Sequence, residues 1–213
     1  MKNKIILKLI VILAIFIFYN CSLSNKNLKP LIDENKLKSY VEKFNNDDEE
    51  LYSNISNKDA LNFLQENIPL FECPDIDIER TYYFRWWTYR KHIKHTEDGF
   101  VITEFLPDVP WSGKHNTISC PAGHHYYEGR WLHNTKYLDD YSYFWLRKGG
   151  EPRLYSFWIA DAFYNRYLVT LDNKPLLDLL PDLIENYKMW ETGWDWNGYH
   201  IGGRKNGLFY TID

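Results

Sequence analysis

The sequence predicts a mainly helical domain with short β-hairpin insertions, and three observations carry that reading. Tyr155, Trp158, Ile159, Ala162 and Phe163 recur at the i, i+3, i+4, i+7, i+8 spacing of one buried helix face. Leu176, Leu180, Leu183, Ile184, Tyr187 and Trp190 keep the same period, with Pro181 expected to kink or restart the helix. Strand-like runs are short and few: Gly99 to Phe105 and Gly207 to Ile212, rich in β-branched and aromatic residues. No charge-rich heptads occur, so a coiled coil is not expected.

The elements follow in order along the chain. Lys2, Lys4 and Lys8 precede or enter an apolar run, Leu9 to Tyr19, that ends at Asn20-Cys21. A charged start and a short apolar run are the parts of a secretory signal, and the run falls short of the ~20 residues that span a bilayer. A cysteine directly after such a run resembles the lipobox of bacterial lipoproteins. That resemblance implies cleavage before Cys21, lipidation of Cys21, and tethering to a membrane of the cell envelope. Ser22, in place of an aspartate, favours an outer membrane; whether the body faces the periplasm or the exterior stays open. Residues 22–35, polar with Lys and Pro, read as a flexible tether. Residues 36–213 read as one domain, long enough to bury a single core.

Within that domain, Asn35 to Asn67 is helical in pattern and strongly charged. Tyr82 to Lys94, Gly123 to Leu132 and Tyr137 to Arg147 are further helix candidates. Gly202-Gly203-Arg204 reads as a turn. Loss of a leader removes Lys2, Lys4 and Lys8, taking the net charge from −4 by three more to −7. So acidic a body, without a basic tract, excludes nucleic acid as the expected partner. Apart from Cys21, only Cys73 and Cys120 remain; a disulfide and buried free thiols are both open, and neither residue is expected in catalysis.

The functional signal is aromatic. All nine tryptophans lie between Trp86 and Trp196, so the enrichment is local. One cluster is Tyr82-Tyr83-Phe84-Arg85-Trp86-Trp87-Thr88-Tyr89-Arg90; a second is His124-His125-Tyr126-Tyr127-Glu128-Gly129-Arg130-Trp131. Rings alternating with guanidinium, imidazole and carboxylate groups suit a surface that stacks on sugar rings and hydrogen-bonds their hydroxyls. The candidate sugar-binding residues are Arg85, Trp86, Trp87, Arg90, Glu104, Trp111, His124, His125, Glu128, Arg130 and Trp131. The competing reading, for each ring taken singly, is a core position.

Other chemistries lack their motifs. His124, His125 and Glu128 place an imidazole and a carboxylate on one helical face, at i, i+3 or i, i+4, yet the His-Glu-x-x-His order of zinc hydrolases is absent, and they read as polar lining of a cleft. Neither a Gly-x-Gly-x-x-Gly loop nor a Gly-x-Ser-x-Gly elbow occurs. No metal and no cofactor is expected.

The stretch from Thr170 to Trp190 resembles a helix pair of the six-hairpin glycosidases, which include trehalases, glycoside hydrolase family 63 and mannosylglycerate-hydrolase-like enzymes. Asp172, Leu176, Pro181, Leu183, Tyr187 and Trp190 carry the likeness. Glu104-Phe105-Leu106-Pro107, Gly123-His124-His125 and Glu128-Gly129-Arg130-Trp131 look like parts of the same barrel, over roughly Asp77 to Asp213. The resemblance implies a partial (α/α)6 toroid with about half of its helical hairpins, acting on oligosaccharides through two carboxyl groups, one acid and one base. Glu191-Thr192-Gly193-Trp194-Asp195 is similar to the loop that holds the acid, which makes Asp195 the candidate, walled by Trp194 and Trp196. A different alignment, on the Gly207 to Ile212 strand, puts the acid beyond Asp213. The base of such enzymes lies on a later helix, so the expectation is an N-terminal part without its general base. A non-catalytic lipoprotein that captures glycans or a partner protein is the alternative.

Overall fold

The computed structural model describes residues 33–192, of which 34 and 192 by their backbone alone, and residues 202–205 and 208–211 by their backbone. Cys21, most of the 22–35 tether and the Trp194-Asp195-Trp196 stretch lie outside the described residues.

Helix α1, Glu34–Asp47, buries Leu37, Val41 and Phe44, one apolar stripe at four- and three-residue steps. The chain then leaves the helix, makes a 3-10 turn at Asn57–Asp59 and enters α2, Ala60–Asn67. The single helical stretch expected from Asn35 to Asn67 is therefore two helices. Asp48 and Asn57 explain the interruption: the Asn57 amide donates to the Asp48 carboxylate at 2.7 Å, local bonding that competes with the helix ladder. Helix α2 stops at Asn67, before Ile68-Pro69, because the residue ahead of a proline is pushed to extended backbone.

Helix α3, Ile76–His92, starts earlier than the aromatic run suggested. Asp75 caps it, its side chain accepting from the Asp77 and Ile78 N–H groups at 3.0 and 3.3 Å. Asp77 and Glu79 sit in the first turn and Arg90, Lys91 and His92 in the last, the order the helix dipole favours. At Ile93 the backbone turns into strand β1, Ile93–Thr96, which pairs antiparallel with β2, Gly99–Ile102. Lys94 is thus in a strand, because Ile93 and Thr96 find partners in Ile102 and Gly99. The second strand ends at Ile102, short of the expected Phe105. Gly99 has φ +104°, and the Asp140 side chain fills the place where a Cβ would stand; Asp140 accepts from Phe100 N–H at 3.0 Å, tying the hairpin to α5, Lys136–Arg147.

Helix α4, Ser119–Gly129, begins four residues ahead of its expected start and stops short of Leu132. Helix α5 buries Leu138, Tyr141, Ser142 and Trp145 on one face. Tyr126 of α4 stacks on Tyr141 at 5.4 Å and meets Phe163 at 5.1 Å. These rings, with Phe144, Trp145 and Phe157, form the aromatic centre of the core. Helix α6 runs Ile159–Thr170 and closes on Leu171 in a left-handed conformation. Tyr155 and Trp158, expected on its buried face, precede it in irregular backbone; only Ile159, Ala162 and Phe163 of that set are helical and buried. Pro181 does restart the helix: α7, Lys174–Asp178, ends before it and α8, Leu180–Thr192, begins at it. Arg147 of α5 spans the break, bonding Asp178 at 2.9 Å and Asp182 at 2.7 Å. Strand β3, Gly202–Lys205, pairs antiparallel with β4, Leu208–Thr211, so the Gly202-Gly203-Arg204 turn is instead a strand. Cys73 is half-buried and Cys120 exposed, and no disulfide joins them, so neither reading of the two thiols holds for Cys120. Among the described residues, no helix is long and apolar enough to cross a membrane.

Two polar contacts hold the N-terminal helices to this core. Glu79 is fully buried and accepts from Cys73 N–H at 2.8 Å and Tyr40 O–H at 3.0 Å, with Lys36 Nζ 3.3 Å away. Burial pushes its carboxyl up, but the Cys73, Tyr40 and Lys36 contacts outweigh that and hold it below the usual glutamate range. Replacing Glu79 by Ala leaves three donors without their acceptor and should cost roughly 2–3 kcal/mol in urea unfolding. Because the folded-state value is depressed, the wild-type contribution is complete above the ordinary glutamate value of about 4.3 and fades as pH falls through the lower folded value. Glu79→Gln should lack that acid-dependent loss.

The second contact depends on Gly129. A Cβ at that position would lie 2.2 Å from the Tyr89 hydroxyl, which donates to the His125 carbonyl at 2.8 Å. Alanine is the better helix former by up to about 1 kcal/mol, yet Gly129→Ala displaces a buried hydroxyl whose bond is worth as much or more. We predict a net loss of about 1–3 kcal/mol by thermal melting, reduced in the Tyr89→Phe background because the two positions are coupled.

Candidate functional site

The two aromatic clusters of the sequence lie on α3 and α4, and the cleft between these helices is the candidate site. Arg85 projects from α3 and Glu128 from α4; the guanidinium engages the carboxylate through both Nε, at 3.1 Å, and Nη2. This two-pronged pairing fixes the plane of both groups, and it raises the Arg85 pKa. The pair stays wet, with the Arg85 side chain 64% exposed.

Arg85 and Glu128 border two adjoining hollows. One, of about 230 Å³, is lined by Thr88, Tyr89, His92, Ile102, Glu104 and His125. The other, of about 370 Å³, is lined by Tyr82, Trp86, His124, Tyr127 and Trp131. The first is polar and the second aromatic, and the ion pair belongs to both.

In the polar hollow a chain of contacts sets the orientation of each group. The Tyr141 hydroxyl lies 3.2 Å from His125 Nδ1, and His125 Nε2 lies 3.2 Å from Glu104 Oε2. Burial pushes the Tyr141 phenol far above its ordinary value, so it keeps its proton. The imidazole is thus held between a phenol on one ring nitrogen and a carboxylate on the other, which fixes its orientation. His92 is held the other way: its Nδ1 donates to the Thr103 carbonyl at 2.9 Å, and burial lowers its pKa, leaving Nε2 an acceptor. Glu104 is placed by the loop that follows β2. Buried Asn116 organises that loop, donating to Phe105 O and accepting from Val109 N–H at 3.0 Å and Ser112 O–H at 2.7 Å.

In the aromatic hollow, Trp131 presents its ring 47% exposed, with the Arg130 guanidinium 5.3 Å from its centroid. Arg130 also donates to Asn165 Oδ1 of α6 at 2.6 Å. Trp86 borders the hollow but is buried among Tyr82 and Tyr89, so most of its ring serves the core. His124 meets Trp158 edge-on at 5.0 Å.

Of the predicted residues, the structure gathers Arg85, Trp86, Glu104, His124, His125, Glu128 and Trp131 around the two hollows. Arg130 backs the aromatic one. Trp87 and Arg90 are corrections. Trp87 faces α1, where its indole donates to Asn45 Oδ1 at 2.8 Å, and Arg90 is fully buried on Ile55 O and Asn57 Oδ1. Helix geometry separates them from Arg85: two and five residues along turns the side chain to another face. Burial pulls the Arg90 pKa down to about 10, which leaves it cationic at neutral pH. Trp111 is exposed and packs edge-on to Phe105 at 4.7 Å, beside the Glu104 loop but lining neither hollow. Asp195 lies outside the described residues. His92, Tyr141 and Thr88 were not singled out by sequence; their signal is long-range pairing, which spacing does not carry.

No metal set forms at His124, His125 and Glu128, which face Trp158, Glu104 and Arg85 respectively. Glu97, Asp98 and His115 do come together, but Lys114 already pairs with Asp98 there, and hydrogen bonds from Lys114 and then His115 hold the Asp98 carboxyl below its ordinary value.

Comparison with known proteins agrees with this architecture. Residues 114–211 match the model of the Mannosylglycerate hydrolase MGH1-like glycoside hydrolase domain. A solved structure named "Sialidase" is 42% identical and superposes with a TM-score of 0.72 over 80% of this chain. The chain spans only 16% of that protein's length. No curated protein matches. The likeness to the six-hairpin glycosidases therefore extends from sequence motifs to fold: the chain is mainly α with β-hairpin insertions, consistent with a partial (α/α)6 toroid, and residues 114–211 are similar to a glycoside hydrolase domain.

Proposed function

We propose that the cleft between α3 and α4 binds a saccharide and serves a glycoside hydrolase that works on oligosaccharides by paired carboxylates. The observation that carries this reading is the convergence of a two-pronged Arg85–Glu128 pair and a His125-held Glu104 beside the exposed Trp131 ring. A pyranose has one apolar C–H face and a rim of hydroxyls. An exposed indole suits the face, and fixed carboxylate, guanidinium and imidazole groups suit the rim. Glu104 would accept a hydrogen bond from a sugar hydroxyl, and His92 Nε2 adds a neutral acceptor in the same hollow. Asp195 is the proposed general acid of that paired-carboxylate chemistry.

The test is calorimetric binding of mannosylglycerate and sialyllactose, the sugars suggested by the names of the matched family and the similar structure. Trp131→Ala should weaken whichever binds by roughly tenfold. Arg85→Ala should weaken it comparably. Both side chains are exposed, so unfolding stability should shift by no more than about 0.5–1 kcal/mol. Wild-type affinity in both variants would overturn the site. Release of sugar that vanishes in Asp195→Asn supports the catalytic part; binding without release favours the non-catalytic glycan-capturing alternative. We further propose that the chain is exported and lipid-anchored at Cys21. Labelling with a radioactive fatty acid, lost in Cys21→Ser, is the expected outcome.

A further inference from the structure

Trp158 belongs to none of the candidate site positions chosen from sequence, yet its ring is closely seated while partly exposed. Its indole lies directly on the backbone of α4 at Gly123. A Cβ on that glycine would stand 2.2 to 2.5 Å from three indole atoms, so only glycine admits the ring there. His124 meets it edge-on at 5.0 Å, and Tyr127 lies 6.1 Å away. Tyr127 is itself fixed by its hydroxyl bond to Asp161, in the first turn of α6. The indole is thus braced on three sides while remaining 36% exposed.

Its position joins two spaces. The His124 and Tyr127 side chains that it touches line the aromatic hollow described above. Trp158 itself lines a further hollow of about 580 Å³ with Phe157, Tyr187 and Trp190, and with the polar groups of Ser156 and Asp161. Rigid aromatic faces with a few polar tips are the same chemistry as at Trp131, repeated one ring further along.

We infer that Trp158 is the stacking platform of an additional saccharide subsite, so that an oligosaccharide runs from Trp131 past Tyr127 and across Trp158 into the second hollow. The inference rests on the saccharide reading of the α3–α4 cleft and adds length specificity: the ligand is a chain of sugars, not a single ring. A pre-placed indole loses little conformational freedom when a sugar stacks on it, which is why bracing at Gly123 bears on affinity. Ser156 and Asp161 stand at the edge of the platform, where the hydroxyls of a stacked ring would lie.

The experiment compares short and long sugars on the full chain. Mannose and mannotriose form one pair of probes; N-acetylneuraminic acid and sialyllactose form the other. Trp158→Ala should weaken the longer probe of the binding pair roughly tenfold and leave the shorter one unchanged. Gly123→Ala, which evicts the indole without removing it, should reproduce that selective loss. Trp158→Tyr should restore most of the affinity and confirms that the fold survives change at this position. Unchanged affinity for the longer probe in Trp158→Ala, with Trp131→Ala still weakened, overturns this inference alone. Failure of every probe to bind wild-type protein overturns the cleft reading, and this subsite with it. A wild-type dimer that Trp158→Ala converts to monomer in sedimentation would show the face to be a self-association surface and would equally overturn it.

Discussion

The structure depends on satisfying the polar tips of one aromatic helix. Along α3 nearly every large side chain carries a donor that cannot be buried alone, since an unpaired buried hydroxyl or amide costs more than most contacts return. Each tip is met by a different part of the chain. Tyr82 donates to Pro69 O at 2.6 Å and Tyr83 to Phe71 O at 2.7 Å, fixing the segment ahead of the helix. Trp87 holds α1 through Asn45, Arg90 holds the 55–57 turn, and Tyr89 holds α4 through His125 O. The helix acts as a spindle: its packing is apolar, but the identity of each neighbour is set by a hydrogen bond. Rings alone would bury comparable area in several arrangements; the tips select one.

That selection positions the cleft. Tyr89 and Gly129 bring α3 and α4 to a separation at which Arg85 and Glu128 meet. The ion pair itself is exposed, and exposed pairs are worth about 0–1 kcal/mol, so it adds little to holding the helices together. The helices hold the pair. Glu104 is likewise placed from behind, by the buried Asn116 in its loop and by a His125 ring whose orientation is held by buried Tyr141. Charged groups at the surface are oriented by neutral groups in the interior.

Much of this was legible in the sequence, and what was not has a common cause. Periodicity located α3, α4, α5 and α8, and Pro181 marked the α7–α8 break, because helices are local and proline acts through its own ring. The β1 strand was missed because Ile93 continues the pattern of the helix before it; only pairing with Ile102 reveals the change. Both clusters contribute side chains to the two hollows, but which of Trp86, Trp87 and Arg90 would turn inward depended on α1 and the 55–57 turn, more than thirty residues away in sequence. Trp158 was read as part of a helix face because its spacing to Ala162 fits one. The helix begins one residue later, and the ring is instead held by Gly123, a residue whose contribution is the absence of a side chain. Spacing records side chains present, and a seat made by a missing Cβ leaves no period to count.

The cleft also has two origins within the chain. Residues that match the glycoside hydrolase domain, 114–211, supply His125, Glu128, Trp131, Tyr141 and Trp158. Arg85, His92 and Glu104 precede that match, although the similarity to the solved structure covers 80% of the chain. The matched part therefore provides the exposed rings Trp131 and Trp158 and one carboxylate, while the preceding helix and hairpin loop provide the fixed cation and the second carboxylate. Each half is incomplete without the other: Glu128 without Arg85 is a lone carboxylate at a helix end, and Glu104 without His125 is a loop residue with no defined orientation. Coupling the two through Tyr89 and Gly129 makes the aromatic helix part of the site as well as part of the core. A substitution that loosens α3 from α4 would separate the Arg85–Glu128 pair while leaving every predicted sugar-contacting side chain in the sequence.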